Sequence, residues 1–122
     1  MKNNKFILLA AVMGFLGVAL GAFGAHGLKI YLNKEMQEIY STGVEYHLVH
    51  AVVLLVLAFQ NLKEFKTAYF FIFSGILLFS FSLYLYSITA QKAFAIITPF
   101  GGLCFLIGWV MIAVGAVRLK KQ

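Results

Sequence analysis

Long apolar runs separated by short polar gaps dominate the chain, and the lengths of those runs set the prediction. A helix needs about 20 mainly apolar residues to cross the hydrocarbon core of a bilayer. The first run, residues 6–25, follows the polar start Lys2-Asn3-Asn4-Lys5. The second, 43–62, ends against Lys63-Glu64-Phe65-Lys66, and the third, 67–88, ends before Gln91-Lys92. The fourth, 98–117, stops at Arg118, Lys120 and Lys121. Runs of this length are about twice what a barrel strand needs, and hydrocarbon cannot satisfy an open backbone. The pattern therefore predicts an all-α integral membrane bundle: four transmembrane helices forming a single domain over residues 1–122.

The polar punctuation refines the elements. Thr98-Pro99 reads as the start of the fourth helix, because threonine caps and proline at the first helical position forfeits no needed hydrogen bond. Two readings are open for the second helix. It begins at Gly43, with Thr42-Gly43-Val44-Glu45 as a capping box and residues 29–42 as an outer loop or surface helix. Alternatively one helix runs from about Lys34 through Leu62, with Met36, Ile39, Tyr40, Gly43, Tyr46, His47 and His50 along one packing face. The charged start followed by an apolar run and Ala22-Phe23-Gly24 has the outline of a signal peptide, but the run exceeds the usual h-region, which favours a retained first span.

Glycine adds a packing signal. Gly14, Gly17, Gly21 and Gly24 fall on one face of the first helix, and Gly101, Gly108 and Gly115 on one face of the fourth. In lipid, glycine lets backbones approach closely, so both stripes are expected to pack helix on helix, within a subunit or between subunits. The third run is aromatic, with tyrosines near its ends where an interfacial belt would place them.

Composition agrees with the pattern: 62% of the 122 residues are hydrophobic and only 11% charged, against about 25% charged in soluble domains. The net charge of +6 does not indicate nucleic-acid binding, because the basic residues sit in short gaps rather than in a patch. Counted by side, they orient the protein. Lys2, Lys5, Lys63, Lys66, Arg118, Lys120 and Lys121 share the side of the termini, while Lys29, Lys34 and Lys92 lie opposite. The positive-inside rule then puts both termini in the cytoplasm of a multi-pass cell-membrane protein. The single cysteine, Cys104, allows no internal disulfide and reads as a small apolar residue.

Candidate chemistry is confined to the outer level, where His26, Glu45, Tyr46, His47 and His50 gather near the expected helix starts at Gly43 and Thr98. Ionisable residues at membrane depth are costly, which makes each a candidate site. His47 and His50 share a face, whereas Glu45 points away from both. A metal would therefore need His26 as a third ligand, and the spacing matches no metal motif. No catalytic residue, cofactor or metal is expected, and hydrogen bonding to neighbouring helices accounts for the histidines.

Four stretches carry a resemblance: Gly21-Ala22-Phe23-Gly24-Ala25-His26-Gly27-Leu28, Tyr46-His47-Leu48-Val49-His50-Ala51, Ser82-Leu83-Tyr84-Leu85 and Thr98-Pro99-Phe100-Gly101-Gly102. The chain resembles the small membrane protein family catalogued as domain of unknown function 423, which is similar to the eukaryotic transmembrane protein 256. The resemblance implies a four-helix membrane protein and brings no activity with it. The expected function is accordingly non-enzymatic: a small membrane protein whose partners are the bilayer and either its own copies or other membrane proteins, affecting membrane integrity. A small transporter or channel with a polar outer entrance is the second expectation, and a metal- or cofactor-binding redox protein the third.

Overall fold

Hydropathy and capping together set where each helix of the computed structural model starts and stops; it describes residues 3–120. α1 (Asn3–His26), α2 (Lys34–Gln60) and α5 (Lys92–Lys120) are single helices. The remaining span is composite: a 3-10 turn at Lys63–Phe65, then α3 (Lys66–Gly75), a π-helical turn (Ile76–Ser80) and α4 (Phe81–Thr89). Four helical stretches among the described residues are long and apolar enough to cross a membrane: Asn4–His26, Lys34–Gln60, Lys63–Thr89 and Lys92–Lys120. The protein is an all-α four-helix membrane bundle.

The second helix takes the longer of its two expected forms, and the fourth starts earlier than expected. α2 begins at Lys34, capped by Asn33, whose side-chain oxygen accepts from the Met36 N–H at 2.8 Å, with Glu35 in the first turn. That is a capped, charge-favoured start nine residues ahead of Gly43. The helix passes straight through Thr42-Gly43-Val44-Glu45, and the Thr42 hydroxyl donates back to the Glu38 carbonyl at 3.0 Å. Glu45 is thus not part of a capping box, and the loop between α1 and α2 is shorter than residues 29–42. Likewise α5 starts at Lys92 and holds Pro99 inside it. The Thr98 hydroxyl bonds Ser82 Oγ at 2.6 Å and its own helix's Phe94 carbonyl at 3.4 Å rather than capping a first turn. Proline removes one helical bond, which membrane helices tolerate when neighbours pack closely.

The helices alternate in direction, so the start of α1, the close of α5 and the 61–66 connection lie at one end, here the terminal end, and the other two connections at the distal end. Lys2 and Lys121 of the orientation count lie outside the described residues. α1 packs on α2, α2 on the composite span, and α5 on the composite span, leaving α1 and α5 as the two flanks. Only 22% of the apolar window of either flank helix is buried, against 39% for α2 and 50% for the composite span. The core lies between the inner pair and α1, with Leu54, Ala58, Ala68, Tyr69 and Ile72 fully enclosed.

Candidate functional site

The polar groups of the bundle are organised around α1. Tyr69 Oη donates to the Phe6 carbonyl at 2.7 Å, His47 Nε2 to the Met13 carbonyl at 2.8 Å, and Tyr40 Oη to the Leu20 carbonyl. Phe6, Met13 and Leu20 are seven residues apart, so the three carbonyls form a ladder up one face of α1. A carbonyl oxygen has two lone pairs, so each accepts a side-chain bond beside its helical one. One turn beyond each carbonyl stands a small residue: Ala10, Gly17 and Gly24. A Cβ on Gly17 would come within 2.7 Å of Leu48 Cδ2 and 3.3 Å of His47 Cδ2, and one on Gly24 would strike the Tyr40 ring. The glycines therefore open a path to the main chain for the donors of α2.

The other glycines of the two stripes are used in the same internal way, with one exception. Gly21 receives Val44 of α2. Gly101 abuts the backbone of Leu78 and Phe79 in the π turn, Gly108 the Ile72 side chain, and Gly115 the Glu64 carbonyl and the Phe65 ring. At Gly14, nothing lies within 4 Å of the Cβ position.

His47 and His50 are held in opposite tautomers. The Met13 carbonyl can only accept, so His47 carries its proton on Nε2, and Nδ1 of the neutral ring accepts from Tyr84 Oη at 2.8 Å. His50 Nδ1 faces the Tyr46 carbonyl at 2.7 Å and must donate there, while its Nε2 accepts from the Trp109 indole N–H at 3.1 Å. Both nitrogens of both rings are thereby occupied. His50 also stacks on Phe105, with ring centroids 3.8 Å apart. Together with Tyr46, Phe79 and Trp109 these rings line a lateral cleft of about 540 Å3 between α2 and α5.

The expected polar level does not come together as one site. His26 is exposed at the end of α1, apart from the two bonded histidines. Glu45 is exposed and forms no hydrogen bond with His47 or His50 among the described residues; it faces a crevice shared with Lys29, Gln37 and Ser41. Among the described residues no three His, Cys, Asp or Glu side chains could hold a metal together. The ligand set of His26, His47 and His50 is not assembled, because the last two spend their nitrogens on protein partners. Two helix starts do not open into this level either, since α2 and α5 both run past it.

Sequence reasoning passed over Trp109 and the pairing of Tyr40 and Tyr84 with α1 and His47. One signal was present for the first of these pairings: Tyr40 and His47 are seven apart, as are Gly24 and Gly17, in helices running opposite ways. A ring on one helix matched to a glycine on the other at the same period is what the ladder requires.

A family model described as "Protein of unknown function (DUF423)" matches residues 20–102. The chain is 44% identical over 118 residues to the UPF0382 membrane protein YwdK of Bacillus subtilis, covering 93% of this chain and 96% of that protein. It is 42% identical over 122 residues to a UPF0382 membrane protein of Haemophilus influenzae, covering 98% of each. With the UPF0382 inner membrane protein YgdD of Escherichia coli K12 it shares 36% identity over 126 residues, covering 100% of this chain and 96% of that one. No solved structure matches the chain.

Proposed function

Because the chain belongs to the DUF423 family of small membrane proteins of unknown function, we propose that it works without catalysis, by lateral association of its own copies. It is a multi-pass protein of the cell membrane, and in this reading its oligomer contributes to membrane integrity. The supporting observation is Gly14. Of the seven stripe glycines it alone has no internal neighbour. It lies on a flank helix whose exposed side carries Ala11, Phe15, Val18 and Ala22. Small residues beside larger apolar ones let membrane helices meet closely, through dispersion rather than a hydrophobic drive.

The test is the mass of the complex in lipid nanodiscs, by native mass spectrometry, for the wild type and Gly14→Leu. The expected result is a defined oligomer that Gly14→Leu dissociates without unfolding the chain. A monomer at every concentration would end the reading. A strain lacking the protein should show greater detergent sensitivity, restored by the wild type and not by Gly14→Leu.

A transport pathway has less support. Toward the terminal end the interior is closed by Leu54, Ala58, Tyr69 and Ile72, each with 0% exposure. Tyr69 is the one polar side chain buried there among the described residues, and its hydroxyl is engaged by Phe6.

A further inference from the structure

At the distal end, between the close of α1 and the first turns of α2, the surface folds inward into a crevice of about 380 Å3. Gly21, Gly24 and Ala25 keep the α1 wall low, and Tyr40 and Val44 of α2 come against it. Lys29, from the turn after α1, and Glu45, from α2, line the same space with opposite charge. They are further apart than an ion pair, and among the described residues neither forms one with any other group. The turn carrying Lys29 is braced, because the Gln37 amide donates to the Lys29 carbonyl at 2.9 Å and to the Leu32 carbonyl at 2.8 Å.

Depth makes Glu45 the informative member. Gly24 meets Tyr40 and Gly21 meets Val44 across the α1–α2 contact, so Glu45 sits level with Gly21. That is five residues, about 7.5 Å, inside the last residue of α1. A carboxylate at that depth in a span is costly unless a counter-charge reaches it. The crevice is the route by which one can arrive, and Lys29 at its rim would repel a simple cation. The charge pattern instead fits a ligand with an ammonium and an anion on a short linker.

We propose that this crevice binds the ammonium–phosphate headgroup of an ethanolamine phospholipid, with Glu45 accepting from the ammonium and Lys29 donating to the phosphate. The reading is independent of self-association, which uses a different part of α1. A primary ammonium offers three N–H donors to a carboxylate, whereas a choline headgroup offers none and a glycerol headgroup has no cation. Selectivity among lipids therefore follows from hydrogen bonding as much as from charge.

The experiment is native mass spectrometry of the full chain released from nanodiscs with equal ethanolamine, choline and glycerol phospholipids. The wild type should retain the ethanolamine lipid in roughly tenfold preference over the choline lipid, the scale of one charge-assisted hydrogen bond. Glu45→Gln should abolish that preference, and Lys29→Gln should lower retention of all three lipids, since each carries the phosphate. Both positions are exposed, so each variant should keep the helical circular dichroism spectrum of the wild type. Equal retention of the three lipids, or an unchanged preference in Glu45→Gln, would overturn the proposal. A second arm offers free phosphoethanolamine to delipidated protein. Binding as tight as that of the lipid would transfer the site to a soluble zwitterion and overturn the lipid assignment; no binding at millimolar concentration supports it.

Discussion

Tyr69, His47 and Tyr40 each give a proton to a carbonyl of α1, yet losing them carries different costs. Tyr69→Phe removes one bond and strands nothing, because the Phe6 carbonyl keeps its helical partner. The expected loss is about 0.6 kcal/mol, the average for a side-chain bond between membrane helices. His47→Phe also leaves the hydroxyl of Tyr84, a buried residue, without its acceptor. An unsatisfied buried donor costs about 1–3 kcal/mol, so His47→Phe should lower stability more than Tyr69→Phe in mixed-micelle unfolding titrations. Ala90 is a separate case. It ends α4 at φ 59, a left-handed position closed by its N–H to the Tyr86 carbonyl. A Cβ there costs roughly 1–2 kcal/mol, part of which glycine's greater chain entropy offsets. Ala90→Gly is expected to raise the unfolding midpoint, and a lower midpoint would contradict the strain.

Glycine substitutions separate the elements by what each stripe rests on. A methyl at Gly101 meets the backbone of the π turn, which cannot swing aside. A methyl at Gly17 meets chiefly the end of the Leu48 side chain, which can. Gly101→Ala should therefore cost at the upper end of the 1–3 kcal/mol typical of overpacking, and Gly17→Ala at the lower end. At Gly14, with open space beside it, Ala should gain up to about 1 kcal/mol of helix propensity in the monomer. Equal effects at Gly101 and Gly17 in the same unfolding assay would refute this ranking. Much at this scale was legible in the residues. Four apolar runs of spanning length, and glycines at helical spacing, are properties of single segments. Pro99 misled because a proline after threonine has the local chemistry of a helix start, while the Ser82 hydroxyl that engages Thr98 belongs to another span. Asn33 was overlooked as a cap because the apolar run begins well after the helix does. The bonding of His47 was beyond reach, since the run-length argument gives depth and not which carbonyl faces which ring.

The whole molecule is a row with two thinly covered flanks, α1 and α5, around a filled centre. Lys5, Lys63, Lys66, Arg118 and Lys120 lie at the terminal end, against Lys29, Lys34 and Lys92 at the distal end. By the positive-inside rule this asymmetry predicts cytoplasmic termini. In a Cys104→Ala background, Ile30→Cys should react with an impermeant thiol reagent added to intact cells, while Lys120→Cys should react only after lysis. The reverse pattern would invert the topology. The carbonyl ladder has a further consequence for how such a row is assembled. A one-residue slip in docking α1, with its turn of about 100°, brings the next carbonyls to the same donors but sets Val18 and Ala25 where Gly17 and Gly24 stand. A slip of seven residues, about 10.5 Å along the axis, returns small residues to two of the three places. In one direction that drags Lys5 into the hydrocarbon, and in the other His26. The small residues beside the ladder set how the inserted helix is turned, and the polar ends set how high it sits.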